Sequence, residues 1–539
     1  MKIYGHLVDI HNRDIYPAEI TVLKGKIDKI ERTNFVPDIF IMPGLIDAHI
    51  HIESSMITPG AFAMAAVQHG TIGVVSDPHE IANVLGIQGV KFMIEDAEKV
   101  PLHFWFGAPS CVPATSFETS GAILTEKEVG ELLEMPEIKY LSEMMNIPGV
   151  INDTKEVENK LELAKKAGKP IDGHAPGLSG ELLIKYVSSG ISTDHECSSL
   201  EEAQEKLALG MKILIREGSA ARNLQALKHL FKTNPDMLML CSDDLHPEML
   251  RKGHINKLIA GLISEGFNVF DIIRSATINP VKHYNLEADL LQQGQNADFI
   301  LVDSLSGMNV IETWIGGKRV FANEHVLFSY KPGKVVNNFN CEPINEKDLK
   351  IANQNRKIRI IKAFDGELTT REIIGKPVNK KFIESDINKD ILKIVVKDRY
   401  NDSQLVIGLI NGYGLKKGAF ASSIAHDSHN IICVGTNDKD IVRAVNEIVR
   451  QKGGLAVSSE GKVNSLQLNI GGIMTNRLCD DIAREYEILS DLVRSLGCKM
   501  TSPFMTLSFM ALLVIPELKI GDRGLFDVNK SELVSLFVD

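Results

Sequence analysis

Eight times between residues 44 and 246 a short apolar run ends in a polar cluster and gives way to an amphipathic stretch. The runs are 44–54, 71–80, 102–111, 138–146, 169–177, 190–199, 211–220 and 237–246. The clearest intervening segment, TKEVENKLELAKKAG over 154–168, carries a helical apolar period and stops on Lys-Lys-Ala-Gly. Strand then helix, repeated eight times at roughly 25 to 35 residues per unit, predicts parallel βα modules. The fold class this dictates is α/β, a parallel sheet closed into a (β/α)8 barrel.

The flanks read differently. EITVLKGKIDKIER (19–32) alternates and turns at Lys24-Gly25 as a hairpin does. Sheet signals return at 297–304 and 310–321, after a helical stretch over 245–280. The predicted organisation is a small β-sandwich from residues 1–42 plus 285–340, a barrel over 43–284, and a C-terminal α+β domain over 345–539. That last region mixes strands such as ILKIVVKD and LVIGLING with a helix over 439–454.

Strand side chains alternate faces, so His49 and His51 in GLIDAHIHIES point the same way, and Glu53 follows at the same spacing. In such a barrel the reactive groups stand at the C-terminal strand ends. The polar residues found there are His51, Glu80, Glu143, His174, His195 and Asp243. Neutral imidazoles with carboxylates suit zinc, manganese or iron(II), and the donors are too many for one tetrahedral ion, so two divalent ions are expected. Two ions acting on one water would supply hydroxide near neutral pH.

Glu143 in KYLSEMMN is read as a bridging ligand or proton carrier. Lys139, a residue that carbamylation would turn into a bridge, stands about 13 Å back along the strand. Asp243 ranks ahead of Asp244 as the ligand of the eighth strand, with Asp244 orienting a histidine. Asp77, His79 and Glu80 in SDPHE face the mouth or its rim and either touch substrate, hold an accessory ion or cap a helix. AHDSHN (425–430) reads as a solvated turn, GGLAV and GGIMT as turns without dinucleotide spacing, and Met505–Met510 as core.

The composition narrows the partners. The net charge of −11, from 59 basic and 70 acidic residues, argues against nucleic acid or an anionic membrane. Seven scattered cysteines without a CxxC pair give no thiolate zinc site and suit a reducing compartment. The N-terminus lacks the apolar core of a signal peptide, and the longest apolar stretch, near 504–515, is short for a bilayer. A cytoplasmic homo-oligomer acting on a small molecule is expected.

With these residues in view, PGLIDAHIHIESS together with His174, His195 and Asp243 resembles the amidohydrolase superfamily of metallo-dependent hydrolases. SDPHEIANVLG, LSEMMNIPGV, DGHAPGLSG, STDHE and SPFMTLSFMALLVIPELKIGDRGLFDV narrow the resemblance to its bacterial adenine deaminase family, over nearly the whole chain. The resemblance implies hydrolysis of adenine to hypoxanthine and ammonia in purine salvage, with two divalent ions, manganese first and iron or zinc as alternatives. It implies His49, His51, His174, His195 and Asp243 as ligands, with Glu143 as the fourth-strand carboxylate. From the convergence of ligand types with spare carboxylates, Glu143 or Asp243 is expected to move the protons as catalytic group. The P-C-x-x-C half of the zinc deaminases that act on nucleic acid is absent. So is an HxxE after strand five, since Ala175-Pro176-Gly177 follows His174. Competing expectations are another amidohydrolase acting on a cyclic amide or N-acetyl sugar, and a scaffold descendant without activity.

Overall fold

The structure, a computed structural model, describes residues 1–377 and 381–538. The span expected for the C-terminal domain therefore includes 378–380 and 539, which lie outside the described residues. Each of the eight apolar runs contains a strand. Leu45–Ile50, Thr71–Ser76, His103–Ala108, Ile138–Met144 and Ile171–Gly173 pair in that order as one parallel sheet. Thr193–Asp194, Lys212–Arg216 and Leu238–Cys241 form a second.

Hydrogen bonds span both gaps between these sheets. Ser192 N donates to Ile171 O (2.9 Å), Asp243 N to His49 O (2.9 Å) and His51 N to Asp243 O (3.2 Å). Asp47 reinforces the second gap by accepting from Ser242 N (3.0 Å), Ser242 Oγ (2.5 Å) and His254 Nε2 (2.8 Å). Between the strands lies an apolar cluster that includes Ala48, Val75, Trp105, Tyr140, Leu214 and Met239. Gly73 leaves room for the Trp105 ring, which a Cβ there would meet at 2.3 Å.

The strands expected to form a small sandwich run as one continuous eight-stranded sheet. Phe40–Pro43 joins the two flanks, pairing in parallel with Lys2–Asp9 and antiparallel with Phe299–Val302. The sheet curls back on itself where Ile27 N donates to Gln295 O (2.9 Å) and Ala297 N to Gly25 O (2.9 Å), and it encloses Ile20, Ile27, Phe299 and Trp314. The hairpin turn falls at Lys24-Gly25, both at positive φ.

The C-terminal region holds a nine-stranded mixed sheet and two long helices, Asp438–Gln451 and Cys479–Ser495. Asn437 caps the first by accepting from Asp440 N (2.9 Å). This region shares a core with the parallel strands: one contiguous cluster contains Ile50, Met144 and Leu245 together with Phe420, Phe504 and Leu525. Among the described residues, no helix is long and apolar enough to cross a membrane.

Candidate metal centre

The pairing of Leu45–Ile50 with Thr71–Ser76 shifts register between Asp47 and Ile50, and His49 and His51 emerge at that irregularity. Both are buried, and their Nε2 atoms face each other at 3.3 Å. A neutral imidazole nitrogen that lacks a proton is an electron pair. Two such atoms in contact either share a proton or share a cation. Backbone fixes the second ring, since His51 Nδ1 lies 3.2 Å from Asp77 O.

Glu143, at the end of Ile138–Met144, stands at the middle of the cluster. Its Oε2 lies 2.7 Å from His174 Nδ1 and 3.2 Å from His195 Nε2. Its Oε1 lies 3.3 Å from His51 Nε2 and 3.5 Å from His79 Nδ1. Burial pushes this carboxyl up, but the surrounding imidazoles of His195, His174 and His51 outweigh it and hold Glu143 well below the usual range. Asp243 Oδ1 lies 3.1 Å from His51 Nε2 and 3.5 Å from His49 Nε2. Asp243 itself adopts φ 54, a left-handed backbone that few residues other than glycine take.

Two groups on this floor escaped the sequence reading. Arg216, the last residue of Lys212–Arg216, pairs with Asp243 Oδ2 and grips Glu196 through Nη1 (2.7 Å) and Nη2 (3.1 Å). Glu196 faces His174 Nδ1 (3.5 Å) and His195 Nε2 (3.3 Å). Against its burial, Arg216 first and then the imidazoles draw Glu196 down to about 2. The signal for both was positional: Glu196 follows His195 directly, and Arg216 ends the seventh strand.

SDPHE lies beside this floor. Asp77 accepts from His79 N (3.1 Å) and contacts its Nδ1 (2.9 Å), which aims the other nitrogen, Nε2, toward Glu80 Oε1 (3.5 Å). Asp77 thus serves both the first N–H of helix His79–Leu85 and the imidazole. Asp244 accepts from Ser54 Oγ (2.5 Å). Glu53, on the same face as the histidines in sequence, accepts from Ile81 N (3.1 Å), and burial lifts it to about 7.

AHDSHN is not a solvated turn. His426, Asp427 and His429 are all buried, because the segments that follow the parallel strands cover them. His426 Nδ1 meets Glu80 Oε1 at 2.6 Å and His429 Nε2 pairs with Glu80 Oε2. Asp427 Oδ1 lies 3.9 Å from His79 Nε2. Short sequence windows hold no trace of this burial, since the partners are some 346 residues apart. His426 and Asp427 line one pocket with His51, Glu143, Asp243 and Arg216, and Leu368, Phe509 and Leu512 complete its wall.

The donor set fits divalent metal. His49, His195 and Asp243 offer ligand atoms within 4.8 Å of one another, and so do Glu143, His174 and His195. His49 Nδ1 and His174 Nε2 are buried and make no hydrogen bond among the described residues. Imidazole and carboxylate donors without thiolate are borderline-hard, in keeping with manganese, iron(II) or zinc.

The amidohydrolase family pattern matches residues 40–320, and the adenine deaminase C-terminal domain matches 367–532. An adenine deaminase of Methanosarcina mazei is 50% identical over 552 residues, covering 100% of each chain. One of Salinibacter ruber is 48% identical, covering 100% of this chain and 99% of its own. Among solved structures, a β-aspartyl dipeptidase of Fervidobacterium islandicum aligns at 13% identity and TM-score 0.47, over 61% of this chain and 99% of that one.

Proposed function

Since this chain belongs to the adenine deaminases of the amidohydrolase superfamily, we propose that it hydrolyses adenine to hypoxanthine and ammonia, in cytoplasmic purine salvage. The observation that supports this most is the convergence of His49, His51, His174, His195, Glu143 and Asp243 in one buried cluster, five of which line a single pocket. In this reading the two parallel sheets close as a (β/α)8 barrel through the hydrogen bonds at Ile171 and Asp243. The strands of both flanks form a second unit, and the C-terminal α+β region forms a third.

His49, His51, His174, His195 and Asp243 would hold two divalent ions, manganese before iron or zinc, with Glu143 as a further carboxylate donor. When bound, the ions supply a water acidic enough to serve as nucleophile near neutral pH. The protein's own groups manage the protons. Adenine plus water gives hypoxanthine plus ammonia only if the water's two protons reach N1 and N6. Glu143 and Asp243 carry them, and such acid–base help is worth roughly 10²–10⁴-fold. Arg216 keeps Asp243 and Glu196 ionised and in place. Asp77 and Glu80 orient His79 against substrate, and the apolar wall of Leu368, Phe509 and Leu512 excludes bulk water.

The test is ammonia release from adenine, adenosine and guanine after manganese loading. Release from adenine alone is expected, and an enzyme that leaves adenine untouched with both ions bound would refute the reading. Glu143→Gln should keep the fold and lose turnover by about 10²-fold or more.

A further inference from the structure

Six carboxylates line the pocket: Glu80, Glu143, Glu196, Asp243, Asp244 and Asp427. Five have committed partners. Imidazoles surround Glu143, Arg216 holds both Glu196 and Asp243, Ser54 donates to Asp244, and His426 and His429 take the two oxygens of Glu80. Glu80 Oε2 makes no regular hydrogen bond but is held in an ion pair by His429, whereas Asp427 Oδ2 is buried with neither a hydrogen-bond partner nor an ion pair among the described residues. The loop bearing it is fixed by neighbours on both sides. Ser428 Oγ donates to Glu118 Oε2 (2.8 Å), Tyr400 OH to Ser428 O (2.7 Å) and Asn430 Nδ2 to Thr119 O (2.9 Å).

A buried carboxylate oxygen accepts hydrogen bonds only, and leaving it without a donor is costly. The His79 ring separates this carboxylate from Glu143, with Nδ1 3.5 Å from Glu143 and Nε2 3.9 Å from Asp427. A flat bicyclic base laid beside that ring would reach from one carboxylate to the other. Adenine has two kinds of donor, its amine and the N–H of its five-membered ring. The amine sits on the carbon under attack and therefore faces Glu143. The ring N–H is left for the far end.

We propose that Asp427, supplied by the C-terminal region, is the specificity residue that binds the ring N–H of the free base, so that the C-terminal region is part of the active site. This rests on the adenine reading above. It gives a physical reason for preferring a base over its nucleoside, in which that nitrogen carries a sugar and no proton.

The manganese-loaded wild type, Asp427→Ala and Asp427→Asn are compared for kcat and KM with adenine and 9-methyladenine, for bound metal per chain and for melting temperature. In D427A the KM for adenine should rise about 10- to 100-fold, the loss expected for a hydrogen bond to a charged group. The preference for adenine over 9-methyladenine should fall by a similar factor, with bound metal unchanged. D427N keeps the side-chain volume, so it carries the test if D427A fails to fold. A KM within twofold of wild type in the folded variants would overturn the proposal. So would a fall in bound metal, which would make His79, Glu80 and Asp427 a cation site instead. A wild type inactive on adenine would end the adenine reading and this inference with it. An active wild type with an unaffected variant would end this inference only.

Discussion

Arg216 sets much of the charge balance among the candidate metal ligands, to which it is no ligand itself. Its guanidinium is buried between Glu196 and Asp243, and the two carboxylates lean on it. Arg216→Met should strand both buried acids and lower kcat/KM by about 10- to 100-fold, as loss of a group supporting metal ligands does. Arg216→Lys should rescue little, because a single ammonium cannot reproduce the two-pronged grip on Glu196. Steady-state kinetics beside metal analysis would check both. Lys519, behind the pocket wall, offers a test through pH. It donates to Leu368 O (2.5 Å) and Phe509 O (2.9 Å), and burial pulls its ammonium down to about 7. Unfolded, the same amine titrates near ~10.4. Between these values the unfolded chain holds more proton at this site, so its contribution to stability grows as pH rises from about 7 toward 10. Melting temperatures of wild type and Lys519→Met from pH 7 to pH 9 should diverge in favour of wild type. A constant difference would show that the amine is not neutralised by folding.

Elements explain which residues the sequence disclosed. All eight parallel strands were legible, because a buried strand must be apolar for four to eight residues and must end where the polar groups begin. His49, His51, Glu143, His174, His195 and Asp243 were legible for the same reason: each stands at such an end, and the structure brings them together. Arg216 and Glu196 obeyed that rule too, yet a cation among presumed ligands has no metal-binding signature. Asp427 was illegible. Its loop contains Ser, His, Asp and Asn, the composition of an exposed turn, and only contacts with Glu80 and Glu118 from distant segments bury it. Local rules still hold where they are not overridden. Asn437 caps Asp438–Gln451, a helix that supplies no residue to the pocket wall, so Asn437→Ala should cost about 1 kcal/mol of stability and leave turnover unchanged. Thermal denaturation with an ammonia assay would check it, and a loss of activity at unchanged stability would be the wrong outcome.

At the scale of the molecule, the regions named by sequence do not have separate interiors. One apolar cluster joins Ile50 and Met144 to Phe504 and Leu525, so cutting the chain near residue 340 exposes core on both pieces. Residues 1–340 made alone should aggregate or remain inactive, and the intact chain should unfold in one principal calorimetric transition. A soluble, active truncated form, or two well-separated transitions, would contradict this. The mixed sheet of the C-terminal region and the curled sheet of the flanks were legible as strands but not as layouts, because pairing between distant strands leaves no periodicity in either partner.

Phe40–Pro43 pairs on one side with Lys2–Asp9 and on the other with Phe299–Val302, and the pocket's last walls are Phe509 and Leu512. On a ribosome this order has a temporal meaning. An early strand must wait for a partner made some 260 residues later, and the cavity stays roofless until almost the entire polypeptide has been translated. Nascent chains released early would therefore carry the cluster of His49, His51, Glu143, His174, His195 and Asp243 and still lack the walls that close the pocket over it.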